Sequence, residues 1–327
     1  MSNSPIHFDI HTGKITGAAL HEGLALRLLW MAVRIMLPFY LFGFSYVCRL
    51  VRTVLPSRRK LLFQLDANSR MVTDFCDAYW SVLLMPGFPY ERENANLIAA
   101  ARNIDYGFID GGANHGFWSA LVSGKVAGQK RVVAIEAASD TFDRLQQNCI
   151  LNDNRFVVLN RAIGAVSGER VLIYGAKHEA RSIIAPDKTT KPILDCVTIS
   201  LDDIAAHDHF AGLTKFMVKL DVEGVEIAAM TTATKLQNMD TVFIYEDHGS
   251  DRNHETTRHV LKELGMQVFW LGRDEPATKI LNIKQMDAIK RSRRFGYDFA
   301  ASKSPFWIER LSAMVQNAPQ QPARVTA

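Results

Sequence analysis

The run Phe108-Ile109-Asp110-Gly111-Gly112-Ala113-Asn114-His115-Gly116 constrains this chain more than any other stretch. A short apolar segment ends in a carboxylate, two adjacent glycines follow, and a further glycine opens the next segment. This predicts a strand, a tight turn and a helix start, where a nucleotide-like ligand approaches bare backbone. The dinucleotide fingerprint requires glycine at its first, third and sixth positions. Counted from Gly111, the third position is Ala113. An acid, Asp110, stands before the first glycine, placed to hold a polar or cationic group of the ligand. The pattern favours S-adenosylmethionine over NAD.

From residue 106 onward, short apolar runs alternate with amphipathic segments, the signature of a parallel sheet with crossover helices. Strands are expected at 107–110, 131–136, 156–160, 216–221, 241–246, 267–271 and 304–309. Helices are expected near 117–125, 141–151 and 256–264, and from about 225. The runs 170–174 and 196–199 lack a crossover helix between them and read as a hairpin on the sheet's edge or face. The fold class is therefore α/β, a Rossmann-like, mostly parallel sheet with helices on both faces and an apolar helical extension at the N-terminus. Four parts follow: a basic, apolar segment (1–60), a lead-in or cap (61–105), the sheet domain (106–310) and a disordered tail (311–327). The lead-in holds a turn cluster at 85–89 and a helix over 91–101.

At 327 residues the chain has room for one large domain plus extensions. Its cysteines, Cys48, Cys76, Cys149 and Cys196, are scattered with no C-x-x-C pair. That spacing argues against a disulfide framework or a zinc site and fits a reducing, cytoplasmic compartment. Eight Lys/Arg against two Asp/Glu in residues 1–60 make that segment +6, leaving −2 on the remainder of a chain that totals +4. The body is not a basic nucleic-acid-binding surface; the first segment is built to meet something anionic.

Residues 24–55 are strongly apolar and 35–48 carry no charge, which is short for a span needing about 20 apolar residues. Pro38 and Gly43 kink a helix there. Arg27 and Arg34 share a helix face, and Arg49, Arg52, Arg58, Arg59 and Lys60 follow. A kinked helix in a membrane surface, contacting the cytoplasmic face through residues 24–60, fits best. A full span and a helix packed on the domain are the competing readings.

Ligands of a doubly wound sheet bind at the carboxyl ends of its strands. Asp110, Glu136, Asn160, Asp221 and Glu246 all stand at such ends. An acid at Glu136 is placed to accept hydrogen bonds from both ribose hydroxyls. In Lys219-Leu220-Asp221-Val222-Glu223-Gly224-Val225-Glu226, Lys219 and Asp221 face one side of a strand, with Glu223 and Glu226 beyond it. This reads either as a Lys–carboxylate network closing a strand end or as a polar floor that holds an acceptor and takes its proton. Tyr245-Glu246-Asp247-His248 supplies a histidine suited to act as a general base near neutral pH.

At these residues the chain resembles the FkbM-type S-adenosylmethionine-dependent methyltransferases. Asp110-Gly111-Gly112-Ala113-Asn114-His115-Gly116 is similar to the family's D-x-G-A-N-x-G signature. Val133-Ala134-Ile135-Glu136-Ala137 resembles its V-x-A-x-E-P segment, with Ala137 in place of proline. Asn148 and Asn152 match its spaced asparagines, and Ser200-Leu201-Asp202-Asp203 its T-L-D segment, with serine for threonine. Residues 219–226 match K-x-D-x-E-G-x-E. The resemblance covers about 91–271 and leaves the N-terminal segment outside it.

The resemblance implies a class I methyltransferase fold and O-methylation of a hydroxyl on a sugar, glycan, lipid-linked or polyketide-like acceptor. The donor site is expected at Asp110, Gly111, Gly112, Asn114, Gly116, Glu136 and Asn160. The catalytic candidates are Asp221 as first base, His248 as second, Lys219 and Glu223, with no metal. The rivals are a nicotinamide-dependent oxidoreductase and a catalytically dead, membrane-attached binding module.

Overall fold

A computed structural model describes residues 4–175, 178, 181–183, 190–222, 224–273, 275–293 and 295–316. The chain begins with β1 (Ile6–Asp9), β2 (Ile15–Thr16), α1 (Leu20–Met36), α2 (Phe44–Val54), β3 (Lys60–Gln64) and β4 (Arg70–Asp74). These strands form one sheet in the order β2-β1-β3-β4, with β1 parallel to β3. The boundary drawn at residue 60 therefore falls inside a single sheet. No strand was anticipated here, because an apolar helical run separates β1 from its partner in sequence.

Pro38 and Gly43 break the apolar run more fully than a kink. A short 3₁₀ turn (Leu37–Phe39) follows α1, then Tyr40 and Leu41 adopt positive φ, and the chain re-enters a helix at α2. The two helices pack against each other. Glu22 returns to the start of α1, accepting from the Ala19 N–H at 2.8 Å and pairing with Arg59 at 2.8 Å. Ala25, Leu26, Leu29 and Val33 of α1 and Phe44, Cys48 and Val51 of α2 join the main core. No helix among the described residues is long and apolar enough to cross a membrane.

The remaining elements are α3 (Arg92–Ala100), β5 (Gly107–Gly111), α4 (Phe117–Val122), β6 (Arg131–Glu136), α5 (Ser139–Leu151), β7 (Val157–Asn160), β8 (Ala162–Ile163), β9 (Arg170–Ile173), β10 (Leu194–Ile199) and α6 (Leu201–Ala205). Then come β11 (Lys215–Leu220), α7 (Glu226–Thr232), α8 (Thr234–Gln237), β12 (Asp240–His248), α9 (Glu255–Lys262), β13 (Gln267–Trp270), β14 (Thr278–Ile280), α10 (Gln285–Ile289), β15 (Gly296–Ser302) and α11 (Pro305–Gln316). The main sheet runs β14-β13-β15-β12-β11-β5-β6-β7. Strands β7, β6, β5, β11 and β12 are parallel, and β15 lies antiparallel between β12 and β13. Successive residues of each strand feed opposite faces. Phe108, Val132 and Met217 join the core shared with the N-terminal helices, while Ile109, Val133 and Val218 join the core on the other face. The expected hairpin is real, but β8, β10 and β9 form a small sheet of their own.

The last expected strand is corrected. Ser304 precedes α11 and residues 305–309 begin it, and the final strand is β15. Ser304 and Pro305 were the signal: proline suits the first helical position, and the Ser304 carbonyl accepts from Ile308 N–H at 3.0 Å. Trp307 and Leu311 are buried at helical spacing. Gly296-Tyr297-Asp298-Phe299-Ala300-Ala301-Ser302 has few strand-favouring residues and becomes a strand because two neighbours supply hydrogen-bonding edges. α11 runs to Gln316, and the tail beyond it lies outside the described residues.

Candidate active site

The glycine turn leaves β5 at the centre of the sheet. Gly112 has φ +74°, and a Cβ there would lie 1.9 Å from the Asp221 carbonyl oxygen. Glycine alone lets the turn lie this close to the end of β11. The Gly112 and Ala113 N–H groups donate to the Ile135 carbonyl at 3.0 and 2.9 Å, tying the turn to β6. At Gly111, a Cβ would meet Ile163 Cδ1 at 2.5 Å, and Gly116, with φ +82°, leads into α4.

Both expected donor acids are buried. Asp110 accepts from Ser119 Oγ on α4, and burial raises its pKa against the opposing pull of Lys219. Glu136 accepts from Ala138 N–H and Asn114 N–H, each at 3.0 Å. Burial pushes its pKa up to about 7 despite those donors. Asn160 donates to the Glu136 and Ala137 carbonyls at 2.9 and 3.0 Å, so it braces the strand end behind Glu136.

Asp110, Gly112, Asn114, Glu136, Lys219 and Asp221 line one cavity at the carboxyl ends of β5, β6 and β11. Its far wall is aromatic and comes from the lead-in and α4. Trp80 stacks on Phe117 at 5.8 Å, and the Tyr79 and Tyr90 hydroxyls are 2.7 Å apart. Trp80 Nε1 donates to Asn114 Oδ1 at 3.3 Å, linking that wall to the turn. The lead-in is thus part of the site, a role the sequence pattern did not reveal.

Asp221 also faces a second cavity, lined by Glu91, Glu246, His248, Arg273 and Asp298. Lys219, in the lining of the first cavity, pairs with two carboxylates of the second. Its Nζ lies 3.1 Å from Asp221 and 3.7 Å from Glu91. Burial alone would lower the Lys219 pKa, but Asp221, Glu91, Asp110 and Asp298 together hold it well above its ordinary value. Asp298 is pushed the other way, well above the usual carboxylate range, by burial and by Glu91, Glu93 and Glu246. Among the described residues, no three His, Cys, Asp or Glu side chains are grouped to hold a metal ion.

Glu91 and Asp298 are site residues that the sequence reading missed. Glu91 is held by Trp118 Nε1 at 2.6 Å and Asn94 Nδ2 at 2.9 Å. Asp298 stands opposite Glu246 in the β12–β15 register. An aspartate amid the apolar and small residues of 297–301 was the one available signal. His248 has a half-exposed side chain, with Nδ1 3.7 Å from Glu246 Oε1, on the rim of the second cavity. Glu226 turns back to accept from Gly224 N–H at 2.9 Å, and Glu223 lies outside the described residues.

Residues 110–268 match the family model of the methyltransferase FkbM domain. The chain carries an FkbM-type methyltransferase domain. Its sheet is the class I methyltransferase fold. Among solved structures, it is similar to methyltransferase FkbM from Methylobacillus flagellatus KT, at 17% identity over 68% of this chain and 52% of that one, with a TM-score of 0.42. This chain thus spans about half the length of that relative. The N-terminal domain of human METTL16 in complex with SAH matches at 13% identity over 66% of this chain and 69% of that one, TM-score 0.36. TrmK of M. capricolum in complex with SAH, its natural cofactor product, matches at 8% over 65% and 68%, TM-score 0.34. No curated protein matches the chain. In this FkbM-type domain the two densest motifs meet in space, because the turn after β5 rests on the end of β11.

Proposed function

We propose that the chain is an S-adenosylmethionine-dependent O-methyltransferase acting on a hydroxyl of a sugar, glycan, lipid-linked or polyketide-like acceptor. The observation that carries this reading is the sharing of one cavity by Asp110, Asn114 and Glu136 with Lys219 and Asp221. A donor-type acid pair and a lysine-neutralised carboxylate thus face the same space.

The residues fit the donor. Each Glu136 oxygen accepts one backbone N–H and retains a lone pair that a ribose hydroxyl would fill, and burial holds its pKa up despite those two donors. Asp110, Gly112 and Asn114 would hold the rest beside the aromatic wall. When bound, S-adenosylmethionine supplies a methyl group on a sulfonium, already activated for transfer. The protein's work is then positioning and proton removal. Asp221, open to both cavities, takes the acceptor's hydroxyl proton. Lys219 orients Asp221 and offsets the charge of Glu91. His248 is the second candidate base, with Glu223 beside the cluster in sequence. The enzyme would work in the cytoplasm, meeting the membrane's inner face through residues 24–60.

Titration calorimetry with S-adenosylhomocysteine and with NADH tests this. Binding of the homocysteine compound, lost on Glu136→Ala, is the expected result. Tight NADH binding with none for the homocysteine compound would establish the oxidoreductase instead. Binding of neither would leave a module without donor chemistry.

A further inference from the structure

The helix α1 is apolar on two sides, and only one of them meets the core. Ala25, Leu26, Leu29 and Val33 face inward, whereas Leu20, Leu24, Leu28, Met31 and Ile35 form an exposed stripe. The spacing of the second set places it on one face of the helix. On α2 the same division separates Cys48 and Val51 from exposed Tyr46, Leu50 and Val54. Ile35, Phe39, Tyr46 and Leu50 are 68, 69, 70 and 63% exposed. Large apolar side chains this open and this contiguous mark an interaction surface.

Three observations select its occupant. First, the exposed charge contributed by residues 20–58 is of one sign. Arg27, Arg34 and Arg58 are exposed, while the only acid in 20–58, Glu22, is buried against Arg59; Arg49 and Arg52, also exposed, line a separate cavity that Asp74, Asp77 and Asp140 share. On the helical wheel Arg27 and Arg34 border the apolar stripe. A second copy of the chain would bring arginines to arginines, whereas an anionic lipid surface complements both the charge and the apolar face. Second, neither helix is long enough to span, which leaves it lying in the interface. Third, the surface is continuous with the active site. Leu37, Leu41, Phe44 and Ser45, from the turn between the helices and the start of α2, line the cavity that reaches Asp221 and Glu91. Tyr40 packs on Phe295 at that cavity's rim, ring centroids 4.5 Å apart.

We infer that α1 and α2 dock in the interface of an anionic bilayer and seat the mouth of the acceptor cavity against the headgroups, so that the hydroxyl acceptor enters from the membrane. The docking stands on the surface itself; the source of the acceptor rests on the methyl-transfer reading. Aromatic side chains at the turn suit the headgroup level, and each arginine near an anionic surface strengthens binding by about 1 kcal/mol, roughly fivefold.

The full-length chain is pelleted with sucrose-loaded vesicles of phosphatidylcholine, with and without phosphatidylglycerol. Binding to the anionic vesicles, weakened by salt and by at least about tenfold on neutral ones, is expected. Phe39→Ser with Leu50→Ser, and separately Arg27→Gln with Arg34→Gln, should each weaken it at least about tenfold while leaving S-adenosylhomocysteine binding and the circular dichroism spectrum unchanged. No binding to anionic vesicles, or binding indifferent to both double variants, overturns docking. So does light scattering that finds a dimer which the Phe39/Leu50 variant dissolves, since the face would then be a self-interface. Incubation with methyl-labelled donor and a cell extract should place label in the organic phase; label in the aqueous phase alone overturns a membrane source. Absence of label from both phases counts against methyl transfer, while the vesicle result still decides docking.

Discussion

Lys219 Nζ lies 3.1 Å from Asp221 Oδ2, so this buried ammonium, in the lining of the first cavity, pairs with the carboxylate that faces both cavities. It is the counterion for carboxylates that otherwise repel one another. Removing one partner from a buried ionic cluster costs about 3–5 kcal/mol. Lys219→Met should therefore destabilise the fold by about that amount in urea unfolding. Lys219→Arg should recover part of the loss, because it keeps the charge.

Asp221 faces both cavities, and the proposed chemistry needs its carboxylate. Asp221→Asn keeps shape and volume but removes the base. Turnover should fall roughly 10²–10⁴-fold, the range for loss of a general base, while calorimetric binding of S-adenosylhomocysteine stays within about twofold. A fully active variant would pass the role to His248.

Gly112 combines φ +74° with no room for a side chain. Alanine there would be strained and would collide with the Asp221 carbonyl at 1.9 Å. Gly112→Ala should cost about 2–4 kcal/mol in stability. The homocysteine compound should bind far more weakly to whatever folds, since the turn and the end of β11 must separate.

Glu136 makes stability depend on pH. Its pKa stands at about 7 in the folded chain against an ordinary 4.5. Between those values the unfolded chain has released the proton and the folded chain retains it, so unfolding is favoured as pH rises. The stability associated with this group is full below about 4.5, declines through the window and levels off above about 7. Glu136→Gln should flatten that part of a urea-midpoint-versus-pH curve. Unchanged curvature in the variant would assign the pH dependence elsewhere.

Asn148 connects three parts of the molecule. Its Oδ1 accepts from Val72 N–H at 2.7 Å, and its Nδ2 donates to the Val72 carbonyl at 3.1 Å and the His115 carbonyl at 2.8 Å. Asn152 makes the equivalent pair of bonds to Arg70, at 2.9 and 2.7 Å. Together they hydrogen-bond to the β4 edge in place of another strand and fasten the N-terminal sheet to the glycine turn. Asn148→Ala leaves the buried His115 carbonyl and the part-buried Val72 N–H and carbonyl without this partner, at about 1–3 kcal/mol for each that water cannot reach. Thermal unfolding should reveal a large loss, with weaker donor binding because the turn at His115 loses its anchor.

Much of the sheet was legible because its strands are short apolar runs between polar segments. β6 begins and ends at the expected residues, and β5 and β11 lie within one residue of expectation at each end. The polar residues at their ends were therefore nameable in advance. Glu91 was not, since nothing local distinguishes a carboxylate before a helix from any solvated acid. Asp298 was hidden in a strand whose composition did not resemble one. β1 and β3 were equally hidden, because their pairing depends on contacts across more than fifty residues.

The sequence by itself determined the order of strands and helices, the glycines that the turn after β5 requires, and the family to which residues 110–268 belong. Those are properties of local periodicity and backbone sterics, which act within a few residues. Only the tertiary structure decided that Lys219 would neutralise Glu91 from the lead-in, that Asp298 would enter on an inserted antiparallel strand, and that α1 would bury one apolar face and leave the other open. Burial and charge pairing depend on which distant segments fill the space around a side chain, and no window of neighbouring residues contains that information.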